Sequence, residues 1–264
     1  MNRFGAASIT ALAFAASLLL ARVHPFGDAG LFRADAAQPL IPQHASIPTD
    51  ARVILTNKCA DCHSTQTRSP LYGHFAPMSW LMERDILEGR KHMNLSQWDT
   101  YSPDQQETFK AKIVQETKSH DMPLLQYRMI HWNTRITPAD LQSLARWAHD
   151  SPAAADSTSP ATAAGDPTRG AQIFLKRCTG CHALTQNHEG PRLQGVYGRN
   201  TGSIAGFPYS DALRKANIQW NDESLERWLT DPDAFLPGNN MDFHVPRPQE
   251  RKDIIAYFKQ SAGK

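Results

Sequence analysis

All four cysteines of this 264-residue chain fall in two copies of one five-residue pattern, Cys59-Ala-Asp-Cys62-His63 and Cys178-Thr-Gly-Cys181-His182. Two cysteines three apart face the same side of a helical turn. Each thiol can add to one vinyl group of a haem, and the histidine that follows is then aimed at the iron. A lone Cys-x-x-Cys would also suit a redox or zinc site, but here the two motifs consume every cysteine and leave none for disulfides. The pattern predicts two covalently bound haem c groups. Cys59, Cys62, Cys178 and Cys181 attach them, and His63 and His182 are the proximal iron ligands.

The rest of the sequence divides around these motifs. A net charge of +2 without a Lys/Arg run excludes a nucleic-acid-tracking protein. The length suits two domains of about 100 residues each plus tails. Eighteen prolines fit small, loop-rich folds in which a covalent haem completes each core. Residues 1–23 hold an apolar run from about Phe4 to Ala21 flanked by Arg3 and Arg22, which reads as a secretory signal or a membrane anchor. Ala34-Asp35-Ala36 lies further from the run than a signal peptidase usually reaches, which favours the anchor. Residues 24–48 read as a spacer. Residues 49–150 form a first helical haem domain: a helix over 49–63 capped by Thr49 or Asp50, a helix ending at Gly89, and a loop over 90–98. A capping box at Ser102-Pro103-Asp104-Gln105 opens a helix to about Lys118, a break follows at Met122-Pro123, and the last helix runs from Pro138 to His149. Residues 151–168 lack large apolar side chains and read as a flexible linker spanning about 20–25 Å. Residues 169–264 form the second domain. The fold class is all-α, two small helical haem domains joined by that linker.

Two resemblances sharpen this. From His24 to Trp147 the chain resembles the bacterial haem-binding domain family, through Cys59–Ser64, Ala76-Pro-Met-Ser-Trp80, Glu88-Gly-Arg90, Asn94-Leu-Ser-Gln-Trp98, and Met122-Pro123 with Tyr127 and His131. From Gly165 onward it resembles the class I cytochromes c of mitochondrial type. Gly170, Phe174, Gly190-Pro191-x-Leu193, Gly206-Phe-x-Tyr209 and Leu236-Pro-Gly-Asn-Asn-Met241 carry that likeness. It implies that the Pro191 carbonyl fixes the tautomer of His182, that Arg199, Tyr209 and Trp220 bond the haem propionates, and that Met241 is the distal ligand. Trp228 stands where that family has a pocket tyrosine. The lysines that flank its methionine loop are Asp233, Ala234 and Asn240 here, so its charge-based docking to an oxidase does not carry over.

The halves also correspond to each other. His63 to Met122 spans 59 residues, as does His182 to Met241, and the same 119-residue shift sets Ala51 on Gly170 and Leu55 on Phe174. Met122 is therefore the expected distal ligand of the first haem, with His120, His131, Met93 and Met78 as competitors. Arg90, Trp98 and Tyr101 either meet propionates there or pack. His74, His92, His149, His188 and His244 read as surface residues. Two thioether ligands would favour reduced iron and close it to substrates. The expected function is a dihaem electron carrier outside the cytoplasmic membrane, exchanging electrons with other redox proteins or a membrane respiratory complex. A dihaem peroxidase and a haem-based ligand sensor are the alternatives.

Overall fold

The computed structural model describes residues 3–32, 40–43, 46–150 and 163–262, with side chains from residue 8. Ala34-Asp35-Ala36 and linker residues 151–162 lie outside the described residues. These are helical and contain no strand beyond an isolated bridge between Asn200 and Gln219. They group into two compact units, Met1–Tyr101 and Ser102–Lys264.

The first unit begins with α1 (Arg3–Leu20). Its end is held at the start of α4 (Met78–His92): Ser17 Oγ donates to the Ala76 carbonyl at 2.7 Å and Trp80 Nε1 to the Leu20 carbonyl at 3.0 Å. Among the described residues no helix is long and apolar enough to cross a membrane, so the expected anchor finds no support. Nor are residues 24–48 a bare spacer. Ala29 and Leu31 are buried against Ile86 of α4, and Ile41 and Ile47 are buried too, because apolar side chains in that stretch supply core to this small unit.

The helix expected over 49–63 is two, α2 (Thr49–Lys58) and α3 (Ala60–His63), hinged at Cys59 with φ −125°. Its N-cap is Pro48, whose carbonyl takes the Arg52 amide at 2.8 Å, so the helix starts before Thr49 and Asp50 can cap it. Gly89 does not end α4, which runs on through Arg90 to His92. A Cβ at Gly89 would stand 3.0 Å from the Cys62 carbonyl oxygen, so the glycine serves a close approach of α4 to the first motif.

In the second unit α5 (Pro103–Lys118) starts at the expected Ser102/Gln105 capping box. Then come α6 (Leu125–Ile130) and α7 (Pro138–His149), the latter opened by a Thr137/Asp140 capping box. Helix α8 (Pro167–Ile173) is capped by Asp166 and widens into a π-helical turn over Phe174–Cys178. Short α9 (Asp211–Lys215), α10 (Asp222–Thr230) and α11 (Pro232–Phe235) lead to α12 (Pro248–Ala262). The core gathers Phe174, Leu225, Leu229, Ile254 and Phe258. Residues 163–168, expected as linker, are tied to α12: the Asp166 amide donates to Asp253 Oδ1 at 2.8 Å, and a Cβ on Gly165 would meet the Lys252 carbonyl oxygen at 2.3 Å. The small side chains that suggest a linker here permit close contact with α12.

Candidate haem-attachment sites

Both Cys-x-x-Cys-His segments fold to one local pattern. In the first unit the His63 amide donates to the Cys59 carbonyl at 3.0 Å, and in the second the His182 amide donates to the Cys178 carbonyl at 2.8 Å. All four thiols are free, and burial pushes each up to about 12, so they stay neutral. Burial also lowers the pKa of both histidines. His182 Nδ1 lies 2.8 Å from the Pro191 carbonyl and His63 Nδ1 lies 3.2 Å from the Met93 carbonyl. A carbonyl only accepts, so Nδ1 carries the proton in each ring and the Nε2 lone pair is free for a metal.

The second site is a largely apolar cavity lined by Cys178, Cys181, His182, Pro191, Arg199, Tyr209, Trp220, Trp228 and Met241. Every residue expected of this site from the sequence therefore comes to one place. Trp220 and Trp228 meet edge to face at 5.3 Å. Arg199 donates to the carbonyls of Gln194 and Arg192, which fixes its side chain at the rim. A Cβ on Gly190 would stand 2.2 Å from His182 Cε1, so only glycine lets the imidazole lie there. Neutral imidazole, paired neutral thiols, a thioether and aromatic walls make a donor set and a cradle that fit a covalently attached haem.

Asn239 is a site residue that sequence reading missed. Fully buried, it accepts from the Met241 amide at 2.7 Å and donates to Asp233 Oδ1 and the Leu236 carbonyl, which pins the loop that presents Met241. The Pro-Gly-Asn-Asn lead-in was the only signal of it. Helix α5 is a second omission. Thr108, Ala111 and Gln115 line the cavity, and a Cβ on Gly180 would meet Thr108 Cγ2 at 2.6 Å. Lys112–Glu189 (2.9 Å) and Lys118–Asp233 (2.7 Å) bind α5 alongside the motif and the methionine loop. His149 and His244 are not plain surface residues either. Their rings meet at 4.8 Å, and the hydrogen bond to Asp242 raises the pKa of His149.

In the first unit, Arg90 spends its guanidinium on the carbonyls of Ser64, Ala29 and Thr65 and on Thr67 Oγ1. Trp98 is buried, and the Tyr101 hydroxyl accepts from the Asn94 amide at 2.9 Å. These three residues organise the loops beside the motif. Met93, a competitor for the distal position, offers its carbonyl to Nδ1 of His63 at 3.2 Å, so its main chain would hold the proximal imidazole.

Residues 167–262 match the family model of cytochrome c, and residues 31–150 match that of the haem-binding domain. Cytochrome c of Gibberella zeae is 41% identical over 103 residues, covering 38% of this chain and 97% of that protein. The chain belongs to the cytochrome c family. Cytochrome c of Arabidopsis thaliana is 39% identical over 100 residues, covering 36% of this chain and 89% of its own length. Among solved structures, cytochrome cH from Methylobacterium extorquens is 39% identical, covers 36% of this chain and 99% of that one, and has a TM-score of 0.35. By family, this chain binds haem c and carries electrons rather than acting as an enzyme.

Proposed function

We propose that the chain is a dihaem electron carrier working outside the cytoplasmic membrane, with one haem c on each Cys-x-x-Cys-His segment. One observation carries the reading: two separate units reach the same arrangement of half-buried neutral thiols and a histidine whose Nδ1 is committed to a main-chain carbonyl. Bound haem supplies a one-electron iron couple. The chain's part is to hold the proximal imidazoles, keep water from the cavity and bring a thioether to each iron, Met241 in the second site and Met122 in the first.

Support for Met122 is its 59-residue spacing from His63, the same as that from His182 to Met241. His131 has its ring stacked on Tyr127 at 4.3 Å, which engages that side chain elsewhere. The partners are other redox proteins or a membrane respiratory complex, and the apolar N-terminal stretch serves export to the periplasm.

Pyridine-haemochrome assay of the purified protein should give two haems per chain, and a Cys59→Ala/Cys62→Ala variant one. A single haem in the wild type overturns the proposal. Met122→Ala and Met241→Ala should each create a reduced high-spin haem that binds carbon monoxide, whereas His120→Ala and His131→Ala leave the spectrum unchanged. Carbon monoxide uptake only on loss of a histidine would move the first ligand to that residue. Uptake by the wild type would favour the peroxidase or sensor alternative, since both need an open position on iron.

A further inference from the structure

We infer that His24, Asp28 and Glu83 form a binding site for a first-row divalent cation, apart from both haem-attachment motifs. His24 follows α1, Asp28 lies in the next turn, and Glu83 projects from the middle of α4. One ligand atom from each residue lies within 4.8 Å of the other two. His24 Nδ1 is 2.6 Å from Glu83 Oε1. Asp28 Oδ1 accepts from the Gly30 amide at 2.8 Å, which orients that carboxylate.

The decisive group is Glu83. It is fully buried, and its second oxygen, Oε2, has no hydrogen-bond partner. A buried carboxylate left half-satisfied is costly, because desolvation is not repaid by one hydrogen bond. A simple His24–Glu83 pair would account for Oε1 alone. It explains neither the unpartnered Oε2 nor the convergence of a second carboxylate on the same point. A divalent cation explains both, since it compensates two carboxylates at once and takes neutral imidazole as its third ligand.

One imidazole with two carboxylates and no thiolate suits zinc or manganese. The exposure of Asp28 and the partial exposure of the His24 side chain, 29%, leave room for water to complete the shell. Bound metal would staple the segment after α1 to α4, the helix whose Gly89 packs on Cys62. The site is structural in kind: it fixes the first haem-attachment unit by tying chain that is distant in sequence.

The test uses the full-length holoprotein, stripped with EDTA and titrated with zinc chloride, with bound zinc counted by mass spectrometry separately from haem iron. One zinc per chain is expected, with a rise in melting temperature on binding. Glu83→Gln and His24→Ala should each lose that equivalent, and manganese should compete for it in the wild type. His24 is partly exposed, so its variant keeps the test open if Glu83→Gln fails to fold. No zinc uptake by the wild type, or uptake undiminished in His24→Ala, overturns the inference. Haem content is read in the same samples, so failure of the metal site is distinguishable from failure of haem attachment.

Discussion

Gly170→Ala is expected to destabilise the second haem-binding unit severely, against the usual sign for that change. In an ordinary helix interior, glycine to alanine stabilises by roughly 0.5–1 kcal/mol. At Gly170 a Cβ would lie 2.0 Å from the Asp253 carbonyl oxygen and 2.8 Å from Tyr257 Cβ, where α8 crosses α12. The obstacle is main chain, which cannot rotate away, so the helices must separate and the core beneath them must open. Phe174 and Phe258, both buried there, would lose contact. Overpacking of this kind costs about 3 kcal/mol or more. In a unit of this size, Ser102–Lys264, that corresponds to a fall of roughly 6–12 °C in melting temperature. Thermal melts followed by circular dichroism of the holoprotein decide it, and a variant within a few degrees of wild type would mean the crossing is looser than the geometry shows.

The second large effect is expected at Arg177, in the π-helical turn immediately before Cys178. Its side chain is only 3% exposed and meets Glu107 at 2.9 Å and Asp104 at 3.2 Å on α5, with Glu250 of α12 at 3.9 Å. Removing the guanidinium leaves Glu107 short of its buried counter-charge, while Glu250 keeps Arg247 and Asp104 is partly exposed, so the cost lies near the lower end of roughly 3–5 kcal/mol. Arg177→Ala should therefore lower stability by about that amount and loosen α5 from the attachment segment. Adding Glu107→Gln should recover part of the loss, because it removes one stranded carboxylate, and the double-mutant cycle isolates the coupling. Arg177→Lys should fall between, since one ammonium cannot span three carboxylates as a guanidinium fork does. If Arg177→Ala melts within a few degrees of wild type, the cluster is hydrated and contributes little.

Arg177 illustrates a limit of reading the chain linearly. Helix α5 lies within residues 31–150, the stretch that matches the haem-binding domain family. The structure groups Ser102–Lys264 into one compact unit in which α5 lies along the second motif. No periodicity in residues 103–118 announces which surface the helix will cover. That depends on Thr108 meeting Gly180 and on lysines meeting Glu189 and Asp233, contacts that join residues more than 70 positions apart.

What the sequence determined by itself is the chemistry that depends on short spacing. The Cys-x-x-Cys-His segments, the Ser102 capping box, the helix from Pro138 to His149, and the loop leading to Met241 all follow from neighbours within a few residues. Their geometry is set by the helical repeat, by fixed proline dihedrals and by side chains reaching their own backbone. What only tertiary structure decided is why particular residues occupy ordinary-looking positions. Gly89 reads as a helix end but stands where α4 approaches Cys62, and Asn239 reads as a turn residue but pins the methionine loop. Ala29 and Leu31 read as spacer but fill core, and His24 finds Glu83 across 59 residues. Burial and close approach are properties of surfaces brought together by folding, and no local pattern encodes them until the partner surface is in place.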